Sequence, residues 1–143
     1  NFKELHPSGS LGAKLKTVED LMISGSKIPF ISENSNMKKA LAIITKKKLG
    51  ILIATDKKKI TTGIITDGQI RRSSQKNNSL IGLTVKKIMT KNPISVEKDM
   101  LAVKSLAIMS ENKITSLCVH KKNSPKKTVG VLHIHNILDG NIT

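Results

Sequence analysis

Val18-Glu19-Asp20-Leu21-Met22 is similar to a second segment 67 residues later, Val85-Lys86-Lys87-Ile88-Met89. Each segment is followed by a short loop that contains a proline, Pro29 or Pro93, and then by a short extended stretch. A pattern that recurs at a fixed distance indicates one structural unit present twice, so it decides the fold before any single element does. The sequence therefore predicts two related units.

A helical stripe in each copy fixes the register of the repeat. Apolar or small residues recur at the i, i+3, i+4, i+7 spacing that buries one face of a helix. The stripe consists of Met37, Ala40, Leu41 and Ile44 in the first copy and of Ala102, Ser105, Leu106 and Met109 in the second. Asn34 and Asp99 precede the two stripes, and we expect them to be the helix N-caps because short polar side chains accept hydrogen bonds from free backbone N–H groups.

The segments after each helix complete the unit. They are an apolar strand at 50–54 or 115–119, a polar turn, a second strand ending at 63–65 or 130–132, and a closing helix at 68–72 or 135–139. Each unit therefore has the order strand, helix, strand, strand, helix, which places the chain in the α/β (α+β) class. Since one such unit leaves a sheet face uncovered, we expect the two to pack sheet to sheet with pseudo-twofold symmetry around a ligand cleft.

The expected domain boundaries follow from the repeat. They are 1–16 for a leading segment and linker, 17–72 for the first unit, 73–83 for a polar linker, and 84–143 for the second unit. The chain begins with Asn1 rather than Met, so we expect a parent protein that extends further toward the N-terminus.

The composition narrows the class of partner. The formal charge is +15, but 23 of the 25 basic residues are Lys, and Phe2 and Phe30 are the only aromatic residues. Base reading and phosphate clamping favour Arg and stacking aromatic rings, so nucleic acid is not expected as a partner. No apolar run reaches the roughly 18 to 20 residues of a membrane span, so a cytoplasmic chain with no membrane partner is expected. The single cysteine, Cys118, lies in an apolar strand and is expected to be an inert buried thiol.

Both units resemble the CBS motif, two of which form a Bateman module, in their element order and in Gly63-Ile64-Ile65-Thr66-Asp67-Gly68. Three further phrases resemble arabinose 5-phosphate isomerases of the KpsF type, which join a sugar-isomerase (SIS) domain to a CBS pair. These phrases are His6-Pro7-Ser8-Gly9-Ser10-Leu11-Gly12, Thr66-Asp67-Gly68-Gln69-Ile70-Arg71-Arg72 and Gly130-Val131-Leu132-His133-Ile134-His135-Asn136.

The resemblance implies a parent enzyme that interconverts ribulose 5-phosphate and arabinose 5-phosphate, the precursor of the lipopolysaccharide sugar Kdo. In that family the chemistry belongs to the SIS domain, and His6 matches a linker histidine thought to complete its active site. Because that domain is not in this chain, we expect no catalytic residue and no isomerase activity here.

The resemblance also suggests the ligand-binding residues. A Ser or Thr after the last strand of a CBS unit and an acidic residue three positions on grip ribose; Thr66 and Gln69 hold these positions in the first unit, and His133 and Asn136 in the second. Further candidates are Asp67 and Arg71 in the first unit and Thr115 and Ser116 in the second. His133 is equally consistent with a capping role, Asp67 with a helix-start charge, and Arg71 and Arg72 with a bridge to the SIS domain. A metal site at His133 and His135 is not expected, since no carboxylate accompanies them.

These residues predict a non-catalytic module that binds a regulatory anionic nucleotide or nucleotide sugar. CMP-Kdo, the activated end product, is the favoured ligand because the Lys-rich surface attracts anions, the closing helices offer N-terminal donors, and an end product suits a regulatory module. The departures from the usual adenine-nucleotide pattern, at Gln69, His133 and Asn136, also favour a ligand other than a plain adenine nucleotide. The expected partners are a second copy, in a homodimer or tetramer, and the SIS domain of the parent chain; no cofactor is required. The alternative is a structural oligomerisation module without a ligand.

Overall fold

Each of the two repeats contributes to a four-stranded sheet in the computed structural model, which describes residues 15–76 and 80–139. The helices are α1 (Val18–Leu21), α2 (Met37–Lys47), α3 (Asp67–Lys76), α4 (Val85–Ile88), α5 (Ala102–Asn112) and α6 (Ile134–Asp139). The strands are β1 (Ile23–Ser24), β2 (Phe30–Ser32), β3 (Ile51–Thr55), β4 (Thr61–Thr66), β5 (Thr90–Lys91), β6 (Ser95–Glu97), β7 (Ser116–His120) and β8 (Thr128–His133). The predicted α+β class is confirmed, as is the predicted order of elements in each repeat.

One compact unit, called the 26–93 unit below, comprises Ser26–Pro93. Its sheet has the order β2-β3-β4-β5, in which β2 runs parallel to β3 and the other neighbours are antiparallel. Helix α2 packs its predicted stripe on this sheet, burying Met37, Ala40 and Ile44 against β-strand residues such as Leu52 and Ile65. Three of the four residues of the predicted stripe therefore lie in the core of this unit, whereas Leu41 is half-buried and is not part of that core.

The other compact unit, called the 94–143 unit, comprises Ile94–Thr143 together with Asn1–Gly25. Its sheet has the order β1-β8-β7-β6, with β6 parallel to β7 and antiparallel pairing elsewhere. Ala102 and Met109 of helix α5 lie in its core with Leu117 and Leu132 of the central strands. The two units thus use the same topology and the same helix face.

The leading segment of each repeat packs in the unit that the other repeat builds. Strand β1 pairs with β8 through Ile23↔Val131 and Ser24↔Gly130, and α1 is held by Val18 N donating to Met100 O at 2.8 Å. Likewise β5 pairs with β4, and α4 contributes Val85 to the core of the 26–93 unit. The repeats therefore exchange their leading segments.

The predicted N-caps are wrong in both copies. Asn36 caps α2, its side chain accepting from Lys39 N at 2.9 Å, while Asn34 lies in the preceding turn, where its N–H donates to Ser32 Oγ at 3.2 Å. In the second copy Leu101 occupies the N-cap position and makes no side-chain cap, so Asp99 is also two residues too early. A turn after β2 and after β6 delays each helix start.

Helix α3 runs to Lys76, four residues beyond its predicted end at Arg72. Strands β3 and β7 begin one residue later than predicted, at Ile51 and Ser116. Gly50 and Thr115 therefore lie immediately before the two central strands. Their carbonyl oxygens accept hydrogen bonds from the first residues of the closing helices, α3 and α6.

Candidate ligand-binding sites

The predicted site residues gather at one kind of place in each unit, the junction where the last strand passes into the closing helix. In the 26–93 unit this junction joins β4 to α3, and Asp67 N donates to Gly50 O at 3.0 Å. In the 94–143 unit it joins β8 to α6, and Ile134 N donates to Thr115 O at 2.8 Å. The same backbone contact therefore builds both junctions, which makes Gly50 and Thr115 structural equivalents.

Thr66 and Gln69 lie together at the first junction, but they are bonded to the protein itself. The Thr66 hydroxyl accepts from Gln69 N at 3.2 Å, as an N-cap does at a helix start. The side-chain amide of Gln69 donates to the backbone carbonyl of Ile88 in α4. Gln69 therefore ties the closing helix to the leading helix of the other repeat, and its Oε1 remains available to accept a hydrogen bond.

Asp67 is exposed and lies over Gly50. A β-carbon placed at Gly50 would lie 3.0 Å from Oδ2 of Asp67, and Gly50 has φ +71°, in the left-handed region that favours glycine. Glycine at position 50 thus adopts the left-handed backbone conformation without strain, and its lack of a side chain leaves room for the Asp67 carboxylate.

Arg71 and Arg72 fold back toward the start of α3. A β-carbon at Gly68 would lie 3.2 Å from a terminal nitrogen of Arg72 and 3.8 Å from one of Arg71. Both side chains are exposed. The junction therefore carries two guanidinium groups and the Asp67 carboxylate within the first six residues of α3. Together these groups are able to contact both the acidic and the hydroxyl groups of a ligand.

His133 and Asn136 also lie together, at the second junction. The side-chain oxygen of Asn136 accepts from His133 N at 2.8 Å, and Nδ1 of His133 accepts from His135 N at 3.0 Å. The pair therefore caps the start of α6, which is the structural role left open by the sequence. Nε2 of His133 and the amide nitrogen of Asn136 remain as groups for a ligand.

The protonation of His133 follows from these contacts. Because Nδ1 accepts a backbone hydrogen bond, the neutral ring carries its proton on Nε2. Burial lowers the pKa of His133, and the neighbouring His135 lowers it further. The two rings meet edge to face with centroids 4.6 Å apart. His133 is therefore held as a neutral Nε2–H donor.

The two junctions differ in the residue beside the strand end. In the register of β7 and β8, Ser116 lies directly opposite His133, so these two side chains share a face of the sheet. In β3 and β4 the corresponding pair is Ile51 opposite Thr66. Thr115 is exposed and contributes its carbonyl to Ile134. The second junction thus has a hydroxyl where the first has an apolar side chain.

The sequence pattern did not reveal a partly buried polar pair in the 94–143 unit, Ser95 with His120. Oγ of Ser95 and Nδ1 of His120 are 2.5 Å apart, and His120 is only 9% exposed. The pair joins β6 to β7, so only the strand register could have revealed it. Cys118 on the same strand is buried, and burial raises the pKa of its thiol to about 12, which agrees with the predicted inert thiol.

Three remaining expectations concern His6, a metal site and a membrane span. His6 lies outside the described residues. Within 15–76 and 80–139, no three His, Cys, Asp or Glu side chains are grouped so as to hold a metal ion, and no helix is long and apolar enough to cross a membrane.

The CBS domain family matches this chain twice, over residues 18–76 and 85–141. The chain belongs to the CBS-domain family. The two matches correspond to the two repeats, each of which ends in one of the strand-to-helix junctions described above. The resemblance found in the element order is therefore confirmed.

Two similar proteins extend the comparison. The chain is 36% identical over 138 residues to the uncharacterized protein RP505 of Rickettsia prowazekii, and 35% identical over 139 residues to arabinose 5-phosphate isomerase KdsD of Salmonella typhi. Each match covers 96% of this chain and 42% of the relative. The chain thus spans less than half the length of these relatives.

A solved structure agrees with the fold. The CBS domain pair of protein MJ0100, in complex with 5'-methylthioadenosine and S-adenosyl-L-methionine, superposes with a TM-score of 0.78 at 23% identity. The alignment covers 90% of this chain and 99% of that pair. The likeness shows that the arrangement of elements here is that of a CBS pair.

Proposed function

We propose that this CBS pair binds an anionic nucleotide or nucleotide sugar in the cytoplasm and regulates an arabinose 5-phosphate isomerase to which it belongs. The observation that carries the proposal is the chemistry of the β4–α3 junction, where the Asp67 carboxylate lies beside Gly50 and the guanidinium groups of Arg71 and Arg72 lie beside Gly68. None of these three groups supports the core, since all are exposed. A carboxylate and two guanidinium groups suit a ligand that has both hydroxyl groups and an acidic group.

The choice of ligand class is supported by the second junction. The neutral Nε2–H of His133 suits a base edge or a sugar hydroxyl, and Ser116 adds a hydroxyl on the same face. A CBS pair of the same fold is known in complex with two adenosine ligands. We favour CMP-Kdo for this chain, because a sugar acid joined to a nucleotide presents a carboxylate, a phosphate and hydroxyl groups together, and because an end product suits a regulatory module in Kdo and lipopolysaccharide biosynthesis.

The regulated activity is inferred from the relative. The KdsD isomerase matches 96% of this chain with 42% of its own length, so most of that enzyme corresponds to nothing here. We propose that the remainder of the parent protein supplies the isomerase chemistry and that this chain supplies none. Self-association through a second copy completes the proposed assembly.

A structural module without a ligand is the second candidate, and a specific observation favours it. Thr66 and Gln69 are engaged with the backbone at the first junction, and His133 and Asn136 at the second. On this alternative Thr66, His133 and Asn136 cap the closing helices, Gln69 ties α3 to α4, and the CBS pair serves only to hold subunits together.

Thermal unfolding in the presence of candidate ligands separates the two. A ligand at 100 times its dissociation constant adds about 2.7 kcal/mol to the free energy of unfolding, which raises the midpoint by several degrees. We expect this shift with CMP-Kdo or another nucleotide among CMP, AMP and ATP. If no member of this panel shifts the midpoint at millimolar concentration, the structural module becomes the better account.

A further inference from the structure

The positive charge is divided very unevenly between two units of the same fold. The 26–93 unit holds 15 of the 25 basic residues and three of the ten acidic ones, a formal charge of +12. The 94–143 unit with residues 1–25 holds ten basic and seven acidic residues, a charge of +3. A general preference for lysine codons would raise the charge of both units alike. The excess therefore calls for a cause specific to the 26–93 unit.

Seven of its lysines are exposed at one end of the unit, where three elements meet. The β3–β4 turn, the first turn of α2 and helix α4 converge there, because Glu33 N donates to Thr55 O and Lys86 N donates to Glu33 O, each at 2.9 Å. A bridge between Asn36 and Thr84 joins the two helix starts. We call this set the lysine pole. It consists of Lys38, Lys39, Lys57, Lys58, Lys59, Lys86 and Lys87.

Helix α4 of the pole lacks the capping contact that the matching helix α1 has. Lys86 and Lys87 lie in the first turn of α4, at the positions that Glu19 and Asp20 hold in α1. There Asp20 completes a capping box with Thr17, whereas the N-cap of α4 makes no side-chain bond. Lys86 and Lys87 therefore supply none of the capping contacts that Asp20 gives α1.

The other members of the pole are no better placed for stability. Lys38 and Lys39 stand in the first turn of α2, which contains no acidic residue. Lys59 adopts φ +67°, an uncommon conformation for a residue other than glycine, asparagine or aspartate. The one carboxylate in the turn, Asp56, accepts from Lys58 N at 2.8 Å and Ile60 N at 3.0 Å, so it is used to form the turn. These lysines are therefore not explained by the stability of the unit.

We propose that the lysine pole adsorbs the 26–93 unit to the surface of an anionic lipid bilayer. Clusters of this size attract anionic headgroups without any specific contact. The pole contains no arginine and no aromatic side chain, the groups that grip and stack on nucleic acid. Beside it Ile81 is 54% exposed, in a loop held by Met37 N donating to Leu83 O at 2.8 Å. An apolar side chain next to a lysine cluster suits the headgroup boundary.

Adsorption to a membrane surface differs from spanning the membrane, which is the role that the sequence did not predict. That expectation rested on the lack of an apolar span, and adsorption through lysines and one apolar side chain requires none. The lysine pole includes none of the side chains proposed to contact the ligand, so the inference does not depend on the proposed ligand.

The test is co-sedimentation of the full chain with lipid vesicles. We expect binding to vesicles with about 30 mol% phosphatidylglycerol in phosphatidylcholine at low salt, loss of binding at about 0.5 M NaCl, and no binding to phosphatidylcholine alone. The double variant Lys86→Glu/Lys87→Asp gives α4 the acidic pair that α1 carries, so it should fold at least as well as the parent. It should weaken vesicle binding about tenfold or more, because two attractions become repulsions.

The matched control makes the same change in charge elsewhere. Lys121→Glu/Lys122→Glu alters the exposed β7–β8 turn of the 94–143 unit and should leave vesicle binding within about twofold of the parent. Equal loss in both double variants would mean that net charge alone acts and would overturn the pole. Absence of vesicle binding at low salt would overturn it as well. Binding to a duplex DNA or RNA, abolished by Lys86→Glu/Lys87→Asp while vesicles are ignored, would assign the pole to nucleic acid instead.

Discussion

The side chain of Met22 occupies the space that any side chain at Gly130 would need: a β-carbon there would overlap the sulfur of Met22. Met89 and Gly63 repeat this relationship in the 26–93 unit, where the β-carbon would lie 2.6 Å from the sulfur. Each methionine directly follows the leading helix of one repeat, and each glycine lies in the second hairpin strand of the other. The close packing thus fastens the exchanged segments.

Alanine at either glycine should destabilise the fold, because the added methyl group meets occupied space. At Gly63 the β-carbon would also lie 2.8 Å from the backbone oxygen of Thr90, which cannot move aside as a methionine side chain can. Overpacking of this kind costs about 1 to 3 kcal/mol, and we expect Gly63→Ala to cost more than Gly130→Ala in urea unfolding.

Gly82→Ala is the control, since a β-carbon at Gly82 meets nothing within 4 Å. Its midpoint should stay close to that of the parent. If Gly63→Ala and Gly130→Ala are as stable as Gly82→Ala, the exchanged segments are not fastened as described.

The bond between Ser95 and His120 predicts a second effect on stability. Ser95→Ala leaves Nδ1 of a nearly buried histidine without its partner, which costs about 1 to 3 kcal/mol. Ser110→Ala, on the exposed face of α5, should change the unfolding free energy by less than about 0.5 kcal/mol. Denaturant unfolding of the two variants measures the difference. Equal stability would show that the pair contributes nothing.

The lowered pKa of His133 predicts how stability depends on pH. The folded state keeps this ring neutral, while the unfolded chain takes up a proton near the ordinary histidine pKa of about 6.5. The contribution of His133 is therefore complete above that pH and declines as the pH falls below it. His133→Asn keeps a cap acceptor but does not titrate, so its unfolding free energy should fall less between about pH 7 and about pH 5. Parallel pH profiles for the variant and the parent would contradict the assignment.

The repeat and the two helical stripes determined the fold class correctly because burial of one helix face leaves a periodic record in the sequence. The helix starts were predicted two residues early since Asn34 and Asp99 have the chemistry of caps but lie in turns. The exchange of leading segments produces no such periodic pattern in the sequence, so it was not predicted. Sequence similarity gives the order of elements within a repeat, whereas pairing of Ile23 with Val131 depends on contacts between repeats.

The candidate sites were predictable in position but not in bonding. Thr66 and Gln69 lie together as their spacing indicates, yet the partner of Gln69 is the carbonyl of Ile88, which the exchange of segments brings to it. The convergence of Arg71 and Arg72 on Gly68 depends on side-chain rotamers, which spacing alone does not specify.

The proposed division of labour predicts the behaviour of the chain toward the isomerase substrate. Purified chain should convert arabinose 5-phosphate to ribulose 5-phosphate no faster than buffer, because we assign the proton transfer between adjacent carbons to the rest of the parent protein. A coupled assay with a full-length KdsD isomerase as positive control measures this. Turnover that follows the chain through purification would contradict the division.

Calorimetric titration with CMP-Kdo tests the ligand-binding proposal most directly. We predict saturable binding to the parent chain and a loss of roughly tenfold or more in affinity for Arg71→Ala and for His133→Asn, since a hydrogen bond to a charged group is worth about 1.5 to 3 kcal/mol. Gln75→Ala, exposed further along α3, should bind like the parent. Tight binding of AMP or ATP in place of CMP-Kdo would correct only the ligand. No binding of any of the three at millimolar concentration, or unchanged affinity in both site variants, would contradict the account.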